Sequence, residues 1–211
     1  MGLIPINERI IEPNETYEVE SYGNTVRHLA YPTNIIVESI QRLARMNGFE
    51  YPLFTVFSGY RSIADQERLF RKRVEEVGGD EELASKTVAR AGRSSHHTGH
   101  AFDIYLGHKT GYKIDSSDPE NVDYIRTTEA YEFMKAIADT LGITELSNEA
   151  WHWDCDRACR DSFVKMIGLD SENDLSLTGV SKSKMNYKLS VGFILTVFMY
   201  LTYRKHIKRK E

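Results

Sequence analysis

Residues 94–103 read SSHHTGHAFD and hold three histidines and one aspartate within ten positions. Imidazole nitrogens and carboxylate oxygens are the usual non-thiolate ligands of zinc, and each lies about 2.0–2.2 Å from the ion. His96 and Asp103 are separated by about 23 Å on a straight strand or about 10 Å on a helix. They can share one ion only if the chain turns between them. Thr98-Gly99 predicts that turn, because glycine adopts positive φ without strain.

Strand alternation separates the candidate ligands of this stretch. Residues 100–106 read as a strand in which Asp103 shares a face with the small Ala101, which leaves room for an ion, while His100 faces the other way. His97 is adjacent to His96 and is expected to point elsewhere. We therefore favour His96 and Asp103 as ligands. Taken alone, however, three histidines in five residues are more often part of a polar loop or of a core than of a metal site.

A second group of residues, EAWHW at 149–153, offers a further ligand in His152 and a carboxylate in Glu149. Catalytic zinc keeps one position open for water, and a carboxylate beside that water can accept its proton. In a regular strand, residues three apart face opposite ways, so this pairing requires a bulge or twist. The alternative is that Trp151 and Trp153 anchor a core and Glu149 lies on the surface.

Arg61, within SGYRS at 58–62, is a third candidate. A fixed guanidinium can bind a substrate carboxylate or stabilise a developing oxyanion. The alternative is an arginine at a helix start that pairs with Asp65 or is exposed.

Periodicity predicts a chain of mixed helices and strands. The predicted helices are residues 34–46, 63–77, 81–91, 128–141 and 160–167, and the predicted strands are residues 51–57, 100–106 and 150–154. The net charge of −4 gives no reason to expect nucleic acid as a partner. Cys155 and Cys159 could be bridged only if the local geometry allows it, and two free thiols are the favoured reading.

The C-terminal part has a composition of its own. Residues 171–186 form a predicted linker, residues 189–203 are apolar all round, and residues 204–211 are a basic tail. We expect a single-pass transmembrane helix at 187–203, with the tail in the cytoplasm and the rest of the chain outside. The alternative is a buried C-terminal helix.

The three motifs together, SGYRS, SxHxxGxAxD at 94–103 and ExWHW, resemble the signature of zinc D-Ala-D-Ala carboxypeptidases of the VanY type. That family shares its fold with L-alanyl-D-glutamate endolysins and the hedgehog signalling domain. The resemblance covers about residues 30–160. It implies an α+β fold within residues 1–170, in which a small antiparallel sheet with flanking helices carries the zinc site.

The resemblance also implies roles for individual residues. One zinc ion would be held by His96, Asp103 and His152. Glu149 would be the general base, and Arg61 would contact the substrate or the tetrahedral intermediate.

Three further residues are implied at or near the substrate-binding edge, namely Ser94, Tyr60 and Gln66. The implied substrate is a peptidoglycan stem peptide cleaved at its D-Ala-D-Ala end. An L-alanyl-D-glutamate type endopeptidase and a non-catalytic zinc-binding module are the alternatives, and the presence of Glu149 argues against the second.

Overall fold

Short antiparallel strands and helices alternate along the chain. The computed structural model describes residues 8–23, 25–109 and 118–166. The strands are β1 (Thr16–Val19), β2 (Arg27–Ala30), β3 (Val56–Ser58), β4 (Ala101–Ile104), β5 (Thr144–Leu146) and β6 (Glu149–Asp154). The helices are α1 (Thr33–Met46), α2 (Ile63–Glu76), α3 (Glu81–Ser85), α4 (Val122–Ile125), α5 (Glu129–Leu141) and α6 (Arg157–Met166).

The strands form two sheets. One pairs β1 with β2, and the other has the order β3-β4-β6-β5, with every neighbouring pair antiparallel. In the larger sheet Asp103 of β4 lies directly opposite His152 of β6. Residues directly opposite in an antiparallel pair have neighbouring side chains on the same face. The α+β architecture with a small antiparallel sheet is therefore confirmed, and its central strands bring two candidate ligands together.

The hydrophobic core joins α1 and α5 to the larger sheet. Ile36, Ile40 and Leu43 of α1 are fully buried at helical spacing. Phe49, Phe54 and Phe133 pack together with ring centroids 5.0–5.3 Å apart, and Phe54 meets each of the other two rings edge to face. Fully burying each such side chain stabilises the fold by about 1.5–3 kcal/mol, so the scaffold of the site has a core independent of any ion.

Several predicted elements are confirmed with small shifts at their ends. The helix predicted at 34–46 is α1, and the one predicted at 128–141 is α5, whose cap Thr128 accepts a hydrogen bond from the Tyr131 amide. Helix α2 begins after Ser62, whose hydroxyl accepts the Asp65 amide hydrogen as expected for an N-cap.

The strand predicted at 51–57 is wrong for most of its length. Only Val56–Ser58 pairs in the sheet, and the preceding residues form turns closed by hydrogen bonds from Leu53 N–H to Glu50 O and from Thr55 N–H to Pro52 O. Pro52 has no amide hydrogen to give to a ladder. Phe54 has a φ of 64°, which is incompatible with an extended strand.

Two predicted helices have different bounds. The helix predicted at 81–91 ends at Ser85, since the Thr87 and Val88 amides both bond the Ala84 carbonyl, and a separate turn follows that is closed by the bond from Arg93 N–H to Arg90 O. The last helix begins at Arg157 rather than at residue 160.

The favoured reading of two free thiols is also wrong, because Cys155 and Cys159 form a disulfide. Cys155 directly follows β6 and Cys159 lies in the first turn of α6, and their Cα atoms are 5.1 Å apart, within the range that a disulfide spans.

The predicted linker at 171–186, transmembrane helix at 187–203 and basic tail at 204–211 lie outside the described residues. Within the described ranges, no helix has the length and apolar character needed to cross a membrane.

His100 links β4 to the start of α1 and predicts a pH dependence of stability. Its Nδ1 lies 2.7 Å from the Thr33 hydroxyl, and burial, together with Arg160 and Arg9, lowers its pKa from 6.5 to about 3. Between these values the unfolded chain binds more protons than the folded chain, so stability falls as the pH falls through this interval. Relative to His100→Gln, the wild type is expected to lose up to about 1.4 kcal/mol per pH unit.

Urea unfolding of both proteins across that interval measures the difference. Equal pH slopes for the wild type and His100→Gln would show that His100 does not carry the effect.

Candidate metal centre

The turn predicted between the first two ligands is present. Residues Ser95–Thr98 form one turn of 3₁₀ helix that ends at Gly99, whose φ is +70°. A Cβ on Gly99 would lie 2.6 Å from Ile11 Cδ1 and 2.8 Å from Ala30 Cβ. Both the backbone conformation and the lack of space therefore require glycine here, and the turn directs His96 back over Asp103.

His96, Asp103 and His152 converge at one point. Asp103 Oδ1 lies 2.8 Å from His152 Nδ1, and Asp103 Oδ2 lies 3.4 Å from His96 Nε2. One ligand atom from each residue lies within 4.8 Å of the other two, and all three side chains are buried. The geometry brings together the three residues that the resemblance implied as ligands.

The second nitrogen of each imidazole has its own partner. His96 Nδ1 donates to the Gly59 carbonyl at 2.7 Å, and His152 Nε2 lies 3.3 Å from Asp154 Oδ2. These bonds leave His96 Nε2 and His152 Nδ1 directed at the cluster. Two imidazole nitrogens and one carboxylate, oriented by such outer partners, are a donor set that fits a catalytic zinc ion.

The charges of the cluster depend on one another. Burial alone lowers the pKa of His152, but hydrogen bonds to Asp103 and Asp154 outweigh it and raise that pKa to about 10. Burial raises the pKa of Asp103, yet the two histidines together bring it below its usual value. Burial lowers the pKa of His96. A cation is thus favoured beside Asp103, whether a proton on His152 or a metal ion.

Asp154→Asn is expected to weaken zinc binding about 10- to 100-fold, the usual effect of losing a partner that orients a ligand. The amide keeps the shape of the side chain but removes the negative charge beside His152 Nε2. Competition with a chelator of known affinity measures the change. Asp161→Asn, on the exposed face of α6, is the matched control and should bind zinc like the wild type. Equal affinities for both variants would contradict a role for Asp154.

The other two histidines of the stretch lie outside this cluster. His97 Nδ1 donates to the Arg61 carbonyl at 2.7 Å, and its Nε2 accepts the Gly92 amide hydrogen at 3.1 Å. His100 faces Thr33. Both help to hold segments around the site in place.

Glu149 reaches the cluster because β6 departs from regular pairing. Glu145 pairs with Trp153, but the next residue of β5, Leu146, pairs with Glu149, so residues 150–152 bulge out of the β5 ladder. This irregularity supplies the bulge that Glu149 and His152 need to face one space. Burial raises the pKa of Glu149. His152 lowers this pKa, and the negative charge of Asp103 raises it further.

Arg61 is held by neutral partners rather than by Asp65. Its Nη1 donates to Gln66 Oε1 at 2.8 Å, and its Nη2 donates to Ser58 Oγ at 2.7 Å. Gln66 is buried, and its Nε2 in turn donates to the Ala89 carbonyl at 2.6 Å. Burial lowers the pKa of Arg61, partly offset by Asp103. The guanidinium is thus fixed at the site by a chain of three side-chain bonds.

A cleft of about 850 Å³ opens over these groups. Its lining includes the three ligand candidates together with Glu149, Arg61, Gln66 and Ser94. Tyr60 is placed elsewhere, with its hydroxyl donating to the Ile11 carbonyl at 3.1 Å. The cleft therefore gathers every predicted site residue except Tyr60.

Sequence reasoning missed three groups that support the ligands. They are the Asp154 carboxylate, the Gly59 carbonyl and the Ser95 hydroxyl, which lies 3.4 Å from His152 Nε2. Asp154 could have been found, because residues two apart on a strand share a face. No sequence pattern indicated that the Gly59 carbonyl would accept a hydrogen bond from His96. A Cβ at Gly59 would collide with the His28 carbonyl oxygen, a close approach that only the folded chain reveals.

Comparison with known proteins identifies the family of this chain. The family model VanY, D-alanyl-D-alanine carboxypeptidase, matches residues 29–155. No curated protein sequence matches the chain at a significant level.

Among solved structures, the LdcB LD-carboxypeptidase is 22% identical, with 76% of each chain covered and a TM-score of 0.52, and so shares the fold. VanYB in complex with D-alanine-D-alanine is 25% identical over 83% of this chain and 96% of that chain, with a TM-score of 0.44. The family model matches more than half of the 211 residues of the chain. The chain therefore belongs to the VanY family of D-alanyl-D-alanine carboxypeptidases.

Proposed function

We propose that the protein is a zinc-dependent carboxypeptidase that removes the terminal D-alanine from peptidoglycan stem peptides. One observation carries the proposal. A buried cluster of two histidines and an aspartate shares a single cleft with a partly buried carboxylate, Glu149, and a fixed guanidinium, Arg61. Family membership supplies the substrate class.

His96, Asp103 and His152 would hold the zinc ion, which would supply Lewis acidity and lower the pKa of the attacking water. Glu149 accepts a proton from the attacking water as the new C–O bond forms. It then gives that proton to the leaving amine as the C–N bond breaks. The raised pKa of Glu149 suits both steps, because a pKa closer to neutral pH lets one carboxyl group both accept the proton and return it.

Arg61 stabilises the charge that develops on the carbonyl oxygen, or binds the terminal carboxylate of the substrate. Guanidinium has five N–H donors, and two of its nitrogens each donate one bond to Gln66 and Ser58. The remaining donors are available to the substrate. Because Gln66 is itself fixed by the Ala89 carbonyl, the guanidinium is oriented before the substrate binds. Electrostatic stabilisation of a transition state is most effective when the donors are oriented in advance in this way.

Ser94 is buried in the cleft lining, and we assign it to the substrate-binding edge. Gln66 acts through Arg61. Tyr60 is proposed to support the segment that carries Arg61, since its hydroxyl bonds Ile11 on the far side of that segment.

We also propose that the catalytic domain, residues 1–170, acts outside the cytoplasm, where peptidoglycan is found. The apolar residues 187–203 and the basic residues 204–211 support an anchor that is joined to the domain by the linker at 171–186.

The test uses the full chain with one equivalent of zinc and muropeptides of defined stem length, with products read by mass. Release of one D-alanine from a pentapeptide stem, and its loss on chelation, is the expected result. Cleavage between L-alanine and D-glutamate would instead establish an endopeptidase. Bound zinc with no cleavage of any muropeptide would establish a binding module.

A further inference from the structure

We infer that Arg126 is a positioning residue for Glu149, acting through the β5–β6 hairpin. The inference rests on the proposed function, in which Glu149 is the general base. Arg126 follows α4 and lines the cleft beside Ser147, Asn148 and Glu149.

The hairpin needs support from outside the sheet. Ser147 and Asn148 form its exposed two-residue turn, and Glu149 is the next residue. Because residues 150–152 bulge away from β5, the ladder that would normally hold a strand end is interrupted directly after Glu149. The Leu146–Glu149 pair alone joins the base to β5 on that side of the bulge.

Arg126 supplies that support from a neighbouring element. Its Nε and Nη2 donate to Glu145 Oε1 at 3.0 and 2.7 Å, and Nη2 also donates to the Ser147 carbonyl oxygen. One planar guanidinium therefore forms hydrogen bonds to both β5 and the turn. Such a fork is specific to arginine, since a lysine ammonium is a point charge on a flexible stem.

Glu145 is held on its other side as well. Its Oε2 accepts a hydrogen bond from the Tyr131 hydroxyl at 2.6 Å, and the Tyr131 ring packs 6.1 Å from the ring of Trp153. Burial and the bond to Glu145 raise the pKa of Tyr131 to about 12, so this hydroxyl stays protonated and donates. The Tyr131–Glu145–Arg126 chain thereby ties the hairpin tip to helix α5.

The ligands depend on different contacts. His152 lies opposite Asp103 in the regular β4–β6 ladder, and His96 is held by Gly59. Loss of Arg126 should therefore displace the base and leave the ligand cluster in place. This separates a positioning role from a general contribution to folding.

The test compares Arg126→Gln with Arg45→Gln in the zinc-loaded full chain. Arg45 is a matched control, because its side chain is also 30% exposed, pairs with Glu20, and donates to the carbonyls of Phe49 and Leu53 far from the cleft. We expect Arg126→Gln to lower kcat about 10- to 100-fold with KM little changed. Arg45→Gln should reduce stability without lowering kcat per folded molecule.

Two further variants should lower kcat by less than Arg126→Gln does. Arg126→Lys should recover only part of kcat, because the ammonium cannot form the fork, and Tyr131→Phe should give a smaller decrease in the same direction. Equal kcat values for Arg126→Gln and Arg45→Gln, or a loss of zinc affinity in step with kcat, would overturn the inference.

Amide hydrogen exchange supplies a readout that does not need activity. In Arg126→Gln the amides of Ser147 to Ala150 should exchange faster, while those of Phe102 and Trp153 in the β4–β6 ladder keep their protection. Unchanged exchange at the hairpin tip overturns the positioning role even if the wild type cleaves no muropeptide. An inactive wild type with the expected exchange pattern counts against the proposed function alone.

Discussion

Glu149→Gln is expected to keep one zinc per chain and to lower kcat by about 100- to 10,000-fold, the contribution typical of a positioned general base. The amide preserves the volume of the side chain, so the bulged strand and the ligand cluster stay in place. It cannot accept a proton from water or return one to the leaving amine. D-alanine release and metal content, measured on the same preparation, give both quantities.

Glu132→Gln is the control for this substitution, since Glu132 is an exposed glutamate on α5. It should retain wild-type activity and zinc. Full activity in Glu149→Gln would rule out Glu149 as the base and with it the proposed mechanism.

Titration of the metal-free protein gives a second view of Glu149. Because burial raises its pKa, the carboxyl stays protonated up to a higher pH than a glutamate in water. NMR titration of the metal-free protein should therefore place Glu149 above the usual glutamate range, with Glu149→Gln identifying the signal, and a value within the usual range would contradict the effect of burial.

Asp103→Ala should abolish zinc binding at stoichiometric concentrations and activity with it. Asp103 is the proposed anionic ligand at the centre of the cluster, and its carboxylate lies within 3.4 Å of both histidines. The loss should exceed the roughly 10- to 100-fold expected for Asp154→Asn, because a ligand is removed rather than its partner. Chelator competition and thermal unfolding of the metal-free proteins measure affinity and fold separately.

The fold should survive this substitution. The aromatic cluster of Phe49, Phe54 and Phe133 and the apolar face of α1 build a core apart from the ligands. Metal-free Asp103→Ala that is unfolded would show that the site contributes to folding directly. Zinc binding at wild-type affinity would show that Asp103 is not a ligand.

Local sequence rules predicted the parts of the fold that depend on local chemistry. The cap at Ser62 follows from hydroxyl-to-amide bonding at a helix start. The turn at Gly99 follows from the spacing of His96 and Asp103. The helices α1 and α5 follow from apolar residues at a period of 3.6.

Predictions failed where a distant contact or a backbone detail decided the outcome. Residues 51–54 are apolar and aromatic like a strand, but turns around Pro52 and the positive φ of Phe54 keep them out of the sheet. The Cys155–Cys159 disulfide depends on Cα atoms brought within 5.1 Å at the junction of β6 and α6.

By itself, the sequence determined which side chains are candidates for the chemistry: two histidines, an aspartate, a glutamate and an arginine within three short motifs. The spacing of residues along the chain determines which of them share a face of a strand or helix and where a turn is required, because the periods of strands and helices are fixed. Only the tertiary structure decided how these groups meet. The β4–β6 register places Asp103 opposite His152, the bulge turns Glu149 toward them, and partners such as Gly59 and Arg126 hold the site. Such contacts join residues far apart in sequence, and no local pattern encodes them.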